Sequence, residues 1–302
     1  MYCCNDEDMD ELVAKEFQER TGIIVDIVRG GGGEILQRIK AEAINPQADV
    51  VNGPGSDSYG PYKEYLQPYV PKDKDFIVGG DPEGYWYGGE ANPIMFIFNT
   101  NLLNEKDYPV AWRDLLDPKY KGRIAFADPE KASSGYAQLC TMVQIFGKEN
   151  GKGWDYAREF LNNLDVKILS SSSEVPKRVA NGEFAVGVTI ESFAFEYLNS
   201  GAPIQVSYPS DGTYLITGGP AIVKGCKNPE NAEAFVNFIL SKEWQTVKVN
   251  KWARRSSRID VQAPKGLPEI SELVAIDYDS DWASNNREEI LFKWKEMFLS
   301  ND

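Results

Sequence analysis

The chain has 302 residues, 32 basic and 46 acidic side chains, a formal net charge of −14, 42% hydrophobic residues and no histidine. That length fits one large domain or two lobes, and the apolar content is that of an ordered chain, because disordered segments lack the apolar surface to offset ordering entropy. The acidic balance argues against nucleic acid as a partner, no apolar run approaches the roughly 20 residues needed to span a bilayer, and the missing imidazole excludes Ser-His-Asp and Cys-His catalysis and histidine-ligated metal.

From the N-terminus, "MYCCN" reads as a strand, and "DMDELVAKEFQERTG" places Leu12, Val13 and Phe17 at helical spacing, with Asp6 or Asp8 as the start and Gly22 as the stop. "IIVDIV" is a second strand. "GGGGEILQRIKAEA" is a second helix with Ile35, Leu36 and Ile39 on one face, and "ADVVNG" is a third strand. This order predicts βαβαβ on a parallel sheet. "GYWYGGEANPIMFIFNTNLL" turns into strands, and "VAWRDLLDPKYKGRIAFADP" supplies a short amphipathic segment, a turn and another strand. The helices "SGYAQLCTMVQIFGKENG" and "GWDYAREFLNNL" follow, and "EVPKRVANGE", "FAVGVTI", "ESFAFEYLNSG" and "PIQVSYP" then repeat the α/β alternation in a second unit. After the β stretch "GTYLITGGPAIVKG", Asn228, Pro229 and Glu230 open a helix as cap, first-turn proline and dipole partner; "NNREEILFKWKEMFLS" is the last helix. Cys3, Cys4, Cys140 and Cys226 show no zinc spacing and read as free thiols. Met1 runs straight into the first strand, which leaves two openings: a cytoplasmic protein, or one whose signal segment is absent from this chain.

Six ordered pieces carry a resemblance: "FQERTGIIVDIVRGGGGEILQRIKAEAINPQADVV", "LLDPKYKGRIAFADP...SSG", "VANGEFAVGVTIES", "GAPIQVSYPSDGT", "GGPAIVKGCKNPENAEAFVNFILSKEWQ" and "RIDV". Together they resemble the substrate-binding proteins of bacterial ABC importers, in the group of ferric-iron, hexose-phosphate and 2-aminoethylphosphonate binders. The resemblance implies an α/β, bilobed type-2 periplasmic-binding-protein fold, two α/β lobes joined by crossing hinge strands near Asn92 to Ile94 and Tyr214 to Thr217. Lobe 1 takes 1–92 and 215–262, lobe 2 takes 93–214, and 263–302 is a C-terminal helical segment docking on lobe 2. It also implies an extracytoplasmic protein, periplasmic or lipid-anchored, with the signal trimmed.

Ser133, Ser134 and Gly135 open a helix, whose free N–H donors and positive dipole end suit phosphate, phosphonate or carboxylate; an ordinary cap explains the serines as well. Gly31, Gly32 and Gly33 lie between strand and helix, either as a ligand loop using positive φ and close approach or as a flexible turn, and lack the Rossmann and Walker spacings. Asn5 and Gly53 end strands, where open α/β sheets bind ligands. Ser172 lies in "SSSE", in which Ser171 and Glu174 have capping-box spacing. Glu191 and Ser192 end a strand at a place where the resemblance implies a cleft-facing polar pair, and a carboxylate there suits an ammonium or sugar hydroxyls. Asp211 and Thr213 fall in the family's hinge-adjacent loop. Arg258 best fits the family's Arg-x-Asp-Val pattern, with Arg255 as the spare, and could fork onto phosphate oxygens. "GYWYGG" either stacks on a sugar or packs.

The expectation is therefore a monomeric solute-binding protein that captures a small phosphorylated or phosphonate-bearing solute by lobe closure and presents it to an ABC permease, with no enzymatic activity, cofactor or metal. Ferric iron is the alternative ligand, disfavoured because no Tyr-Tyr pair exists and "ESF" stands where the iron binders carry tyrosines. Sensing for a membrane histidine kinase is the alternative role.

Overall fold

A computed structural model describes residues 1–5 and 7–300; Asp6, one of the two candidate helix starts, lies outside the described residues. The chain runs through β1 (Tyr2–Cys3), α1 (Glu7–Thr21), β2 (Val28–Arg29), α2 (Gly32–Ala41), β3 (Val50–Gly55), α3 (Ser56–Tyr59) and β4 (Leu66–Gln67). It continues through β5 (Glu90–Asn99), β6 (Ile124–Ala125), α4 (Ser133–Phe146), α5 (Lys152–Leu164), α6 (Glu174–Ala180), β7 (Val186–Ile190), α7 (Glu191–Asn199) and β8 (Ile204–Ser207). β9 (Leu215–Val223), α8 (Pro229–Ile239), α9 (Lys242–Trp252), α10 (Ser280–Asn285) and α11 (Arg287–Leu299) complete it. Two compact units result: unit 1 from Met1–Ala91 and Ile216–Ile270, unit 2 from Asn92–Leu215 and the chain from Ser271 on.

In unit 1 the strands lie in the order β2-β1-β3-β9, with β4 also paired to β9. β1 pairs parallel with both β2 and β3, while β9 runs antiparallel to β3 and β4. Strand alternation sends successive side chains to opposite faces. Val50 and Ile222 therefore join α1 and α8 through Met9, Val13, Phe17, Phe235 and Ile239, while Val51, Ala221 and Val223 join α2 through Ile35, Leu36 and Ile39. Four glycines let β9 approach residues 87–89 backbone to backbone. A Cβ on Gly219 would sit 2.3 Å from the Tyr87 carbonyl oxygen and 2.4 Å from Gly89 N, so no other residue fits without displacing the strand. The Gly89 N–H donates to the Gly218 carbonyl at 2.8 Å. The "GYWYGG" aromatics are packing residues: Trp86 stacks on buried Tyr59 at 5.3 Å, and Tyr87 lies in the core.

In unit 2, β5 pairs antiparallel with β7 and β8, and β6 pairs parallel with β7. Ile94 through Ile97 have no exposed surface, which explains why this strand is apolar on both faces. Met95 and Ile97 meet α6 and α7 through Val175, Val179 and Ala194. Phe96, facing the other way, meets Trp112 edge-on at 5.2 Å. The segment after Ser271 is tied in by a parallel bridge between Thr213 and Ala275 and by Tyr214 stacked on Tyr278 at 3.6 Å.

Candidate functional site

In unit 1 the parallel strands β1, β2 and β3 end at one edge; Asn5 and the Gly31 to Gly33 segment follow β1 and β2 there, while Gly53, expected to end its strand, lies within β3. A Cβ on Gly53, whose φ is +110°, would lie 2.6 Å from Asn5 Oδ1 and 3.0 Å from Cys4 Sγ; one on Gly32 would lie 3.6 Å from the same sulfur. Asn5, Gly32 and Gly53 thus converge around Cys4. The Asn5 amide donates to Asp10 Oδ1 at 2.9 Å, which orients it. The positive-φ expectation for the glycine loop does not hold: Gly31 is an extended N-cap with φ −64°, and Gly32 and Gly33 are the first helical residues of α2. The α2 mouth also holds its own carboxylate, since Glu34 Oε2 accepts the Gly31 N–H at 3.3 Å. An anion would have to displace it.

In unit 2 three parallel segments end together: β6 and β7, and Leu169 bridged in parallel to Ala127. Their exits carry Ser133 and Ser134, Glu191 and Ser192, and Ser172. Ser134 Oγ and Ser172 Oγ are hydrogen-bonded at 2.5 Å across 38 residues of chain. The serines are not caps. Ala132 occupies the N-cap position of α4, and no side chain caps the helix, so Ser133, Ser134 and Gly135 form its first turn. Gly135 is required because a Cβ there would lie 2.4 Å from the Ala127 carbonyl oxygen. The capping box expected of Ser171 and Glu174 is absent. Ser171 instead bonds Ser173, and Glu174 pairs with Arg178 at 3.4 Å.

The first turns differ in charge. α2, α6 and α7 carry Glu34, Glu174 and Glu191 there, whereas α4 has no acidic residue. Of these four helices, α4 alone presents an uncompensated positive dipole end. Glu191 is buried at 2% exposure and accepts a hydrogen bond from the Tyr208 phenol; Ser192 beside it is partly exposed. Tyr208 was not among the candidate residues. The alternation Ile204, Val206, Tyr208, all packed in one cluster, was the available signal, because it places the phenol on the core face at the exit of β8.

Three candidates are engaged in holding the fold. Arg258 is 3% exposed, and its guanidinium donates to Asp260 at 2.8 and 3.1 Å, to Asp73 at 2.7 Å and to the Leu240 carbonyl at 2.8 Å. These bonds use the fork that a phosphate would need. Its pKa is raised: desolvation works against this, and the Asp260 and Asp73 carboxylates outweigh it. Arg255, the spare, is equally buried and donates to the Pro268 carbonyl. Thr213 has no exposed surface, and its hydroxyl donates to the Ile94 carbonyl at 2.6 Å. Asp211 accepts the Trp112 N–H with both oxygens, at 3.0 and 3.1 Å. Both tie a loop to unit 2.

Among the described residues no group of three or more His, Cys, Asp or Glu side chains is placed to hold a metal ion, and no helix is long and apolar enough to cross a membrane. None of the four cysteines forms a disulfide.

The candidate residues thus lie at the carboxyl edges of parallel strands in each of two α/β units. Residues 57–280 match the family of bacterial extracellular solute-binding proteins, and the chain belongs to that family. It is 31% identical over 314 residues to an uncharacterised protein of Haemophilus influenzae, covering 97% of this chain and 88% of that one. It is 28% identical over 236 residues to a putative 2-aminoethylphosphonate-binding periplasmic protein of Salmonella typhimurium, covering 76% of this chain and 68% of that one. Among solved structures it is similar to the periplasmic binding protein AfuA from Actinobacillus pleuropneumoniae, with exogenous fructose-6-phosphate bound, at TM-score 0.79 and 28% identity, covering 99% and 97% of the two chains. The fold is that of the type-2 periplasmic binding proteins, and the protein is a solute-binding protein of the kind that serves ABC importers.

Proposed function

We propose that this protein captures a small organic phosphate or phosphonate outside the cytoplasmic membrane and presents it to an ABC permease. The observation that carries the reading is the Ser134–Ser172 hydroxyl pair at the uncapped, acid-free mouth of α4. Backbone N–H groups and two hydroxyls there supply neutral donors to a phosphoryl oxygen without the cost of burying a lysine or arginine. Glu191 and Tyr208 take the organic part of the solute, an ammonium or a hydroxyl, since a carboxylate repels a second anion. In this reading the Asn5, Gly32 and Gly53 loops of unit 1 close on the solute's other side, and the closed form is favoured by the contacts that the solute makes only there. The names of the Salmonella and Actinobacillus relatives support the chemistry.

Thermal shift and calorimetry with 2-aminoethylphosphonate, fructose 6-phosphate, inorganic phosphate and ferric citrate test it. One of the two organic phosphorus compounds is expected to bind, and a Ser134→Ala, Ser172→Ala double variant is expected to bind it about a hundredfold more weakly, since each charge-assisted bond is worth about 1.5 kcal/mol. Stabilisation by ferric citrate alone, or an undiminished affinity in the double variant, overturns the reading.

A further inference from the structure

Inside unit 1 a small, partly open cavity of about 30 Å³ brings Asn5, Asp10, Asn52, Glu90, Gln245 and Lys248 together among apolar residues such as Met9 and Trp244, with Gly89, Gly218 and Gly219 as one wall. That is room for one or two waters. Lys248 projects from α9 into this wall, is 4% exposed, and its ammonium donates to the Gly89 carbonyl. Gly89 stands immediately before β5, and two residues further on, between Ala91 and Asn92, the chain leaves unit 1 for unit 2. Gly89 is also the residue whose N–H binds Gly218, on the strand that returns from unit 2 into unit 1. One buried lysine therefore donates to the carbonyl of the residue whose N–H joins the two passages.

A buried lysine is an expensive way to satisfy one carbonyl. Taking an ammonium out of water costs several kcal/mol, and a glutamine or a water would meet the same acceptor for less. Nothing in the phosphate site uses this charge. We propose that Lys248 is a positioning residue for ligand capture, its buried Nζ donor holding Gly89, the residue before β5, in place and thereby easing closure on the solute. This rests on the closure reading above.

The charged groups around it set a pH dependence. Glu90 on β5 favours the ammonium, Arg254 beyond the end of α9 disfavours it, Asp10 on α1 lines the same cavity, and Cys4 after β1 lies near both carboxylates. Burial dominates and pushes Lys248 down to about 8, while the Cys4 thiol is pushed up to about 12 and stays protonated. Lys248 is thus the group of this cluster that changes charge in mildly alkaline solution. Because burial lowers this pKa, a state that exposes the lysine takes up the proton more readily, so opening here becomes harder as pH rises through 8, while the neutral amine still donates to Gly89.

The experiment compares wild type and Lys248→Met by hydrogen exchange of the peptides spanning residues 87–95 and 215–223, without ligand, at pH 7 and pH 9.5 after correction for intrinsic rates. Affinity for 2-aminoethylphosphonate and fructose 6-phosphate is measured in parallel. Expected are about tenfold faster exchange of both segments in the variant at pH 7, where the Gly89 carbonyl has lost its donor, wild-type exchange that becomes about tenfold slower at pH 9.5 with a midpoint near pH 8, and an affinity about tenfold weaker in the variant than in the wild type at pH 7. Exchange that is unchanged by the substitution, or wild-type exchange that does not slow as pH rises, overturns the proposal. Should Lys248→Met fail to fold, the wild-type pH series decides alone. If neither compound binds the wild type, the phosphate reading fails, and the exchange data still decide whether Lys248 holds the strand.

Discussion

Arg258→Ala separates a fold-holding arginine from a ligand-holding one. The guanidinium makes four hydrogen bonds to Asp260, Asp73 and Leu240, all within unit 1. Removing one partner of a fully buried ion pair costs 3–5 kcal/mol as an order of magnitude, because the other charge is stranded. Here Asp73 is 44% exposed and Asp260 24%, so water recovers part of that; the Leu240 carbonyl is left without its donor. About 3 kcal/mol remains, which at about 2–4 °C per kcal/mol lowers the melting temperature by about 6–12 °C. Arg258→Lys should fall between, since an ammonium cannot fork across both oxygens of Asp260. Differential scanning fluorimetry without ligand reads the first effect, and calorimetry with the solute that binds reads the second. A variant melting within about 2 °C of the wild type but no longer binding the solute would refute the reasoning and return Arg258 to the site.

Gly135→Ala should destabilise the protein by about 1–3 kcal/mol in chemical denaturation, because the new methyl meets a backbone oxygen that cannot yield, and weaken solute binding by displacing the α4 mouth. Tyr208→Phe and Glu191→Gln should leave affinity for inorganic phosphate within about twofold while changing the preference between 2-aminoethylphosphonate and fructose 6-phosphate by about tenfold, measured by competition; an equal loss for every probe would mean the pair only supports the fold. For stability against pH, Lys248 has a folded pKa of about 8 against 10.5 unfolded, so the unfolded chain holds more protons between those values and stability rises with pH there. Wild type relative to Lys248→Met should therefore gain about 3 kcal/mol from pH 7 to pH 10.5, and a flat difference would show that the ammonium is not buried. Taking the difference cancels Tyr2, which is pushed up to about 12 and acts with the opposite sign.

The βαβαβ opening and the alternation of the second unit were legible because each depends on local periodicity: Val13 with Phe17, and Ile35 with Leu36 and Ile39, bury one helical face without knowledge of the partner. The edges carrying the candidate residues followed from parallel strands ending together. Roles set by residues distant in sequence were not legible. Arg258 reads as a free cation until Asp73, 185 residues earlier, is seen against it. Lys248 sits in a helix whose polar and apolar residues follow no clean stripe, so periodicity assigns it to solvent while tertiary packing buries it. Ser171 and Glu174 have capping spacing, yet the helix starts two residues later and Ser173 takes the N-cap position. In each case the local rule described a preference that a tertiary partner overrode.

The two-segment composition of each unit also governs how the chain is made. β9, which pairs with both β3 and β4, is synthesised after all of residues 92–215, and unit 2 in turn waits for the segment beyond Ser271. During synthesis neither hydrophobic core can be completed before the other is nearly finished, so the nascent chain exposes Val50, Val51 and the apolar face of α2 for most of its elongation. A chain ending at Tyr214 should therefore stay open and sensitive to protease although it holds two-thirds of the residues. Whatever handles the polypeptide before folding meets a long, loop-closing chain rather than a first lobe already folded.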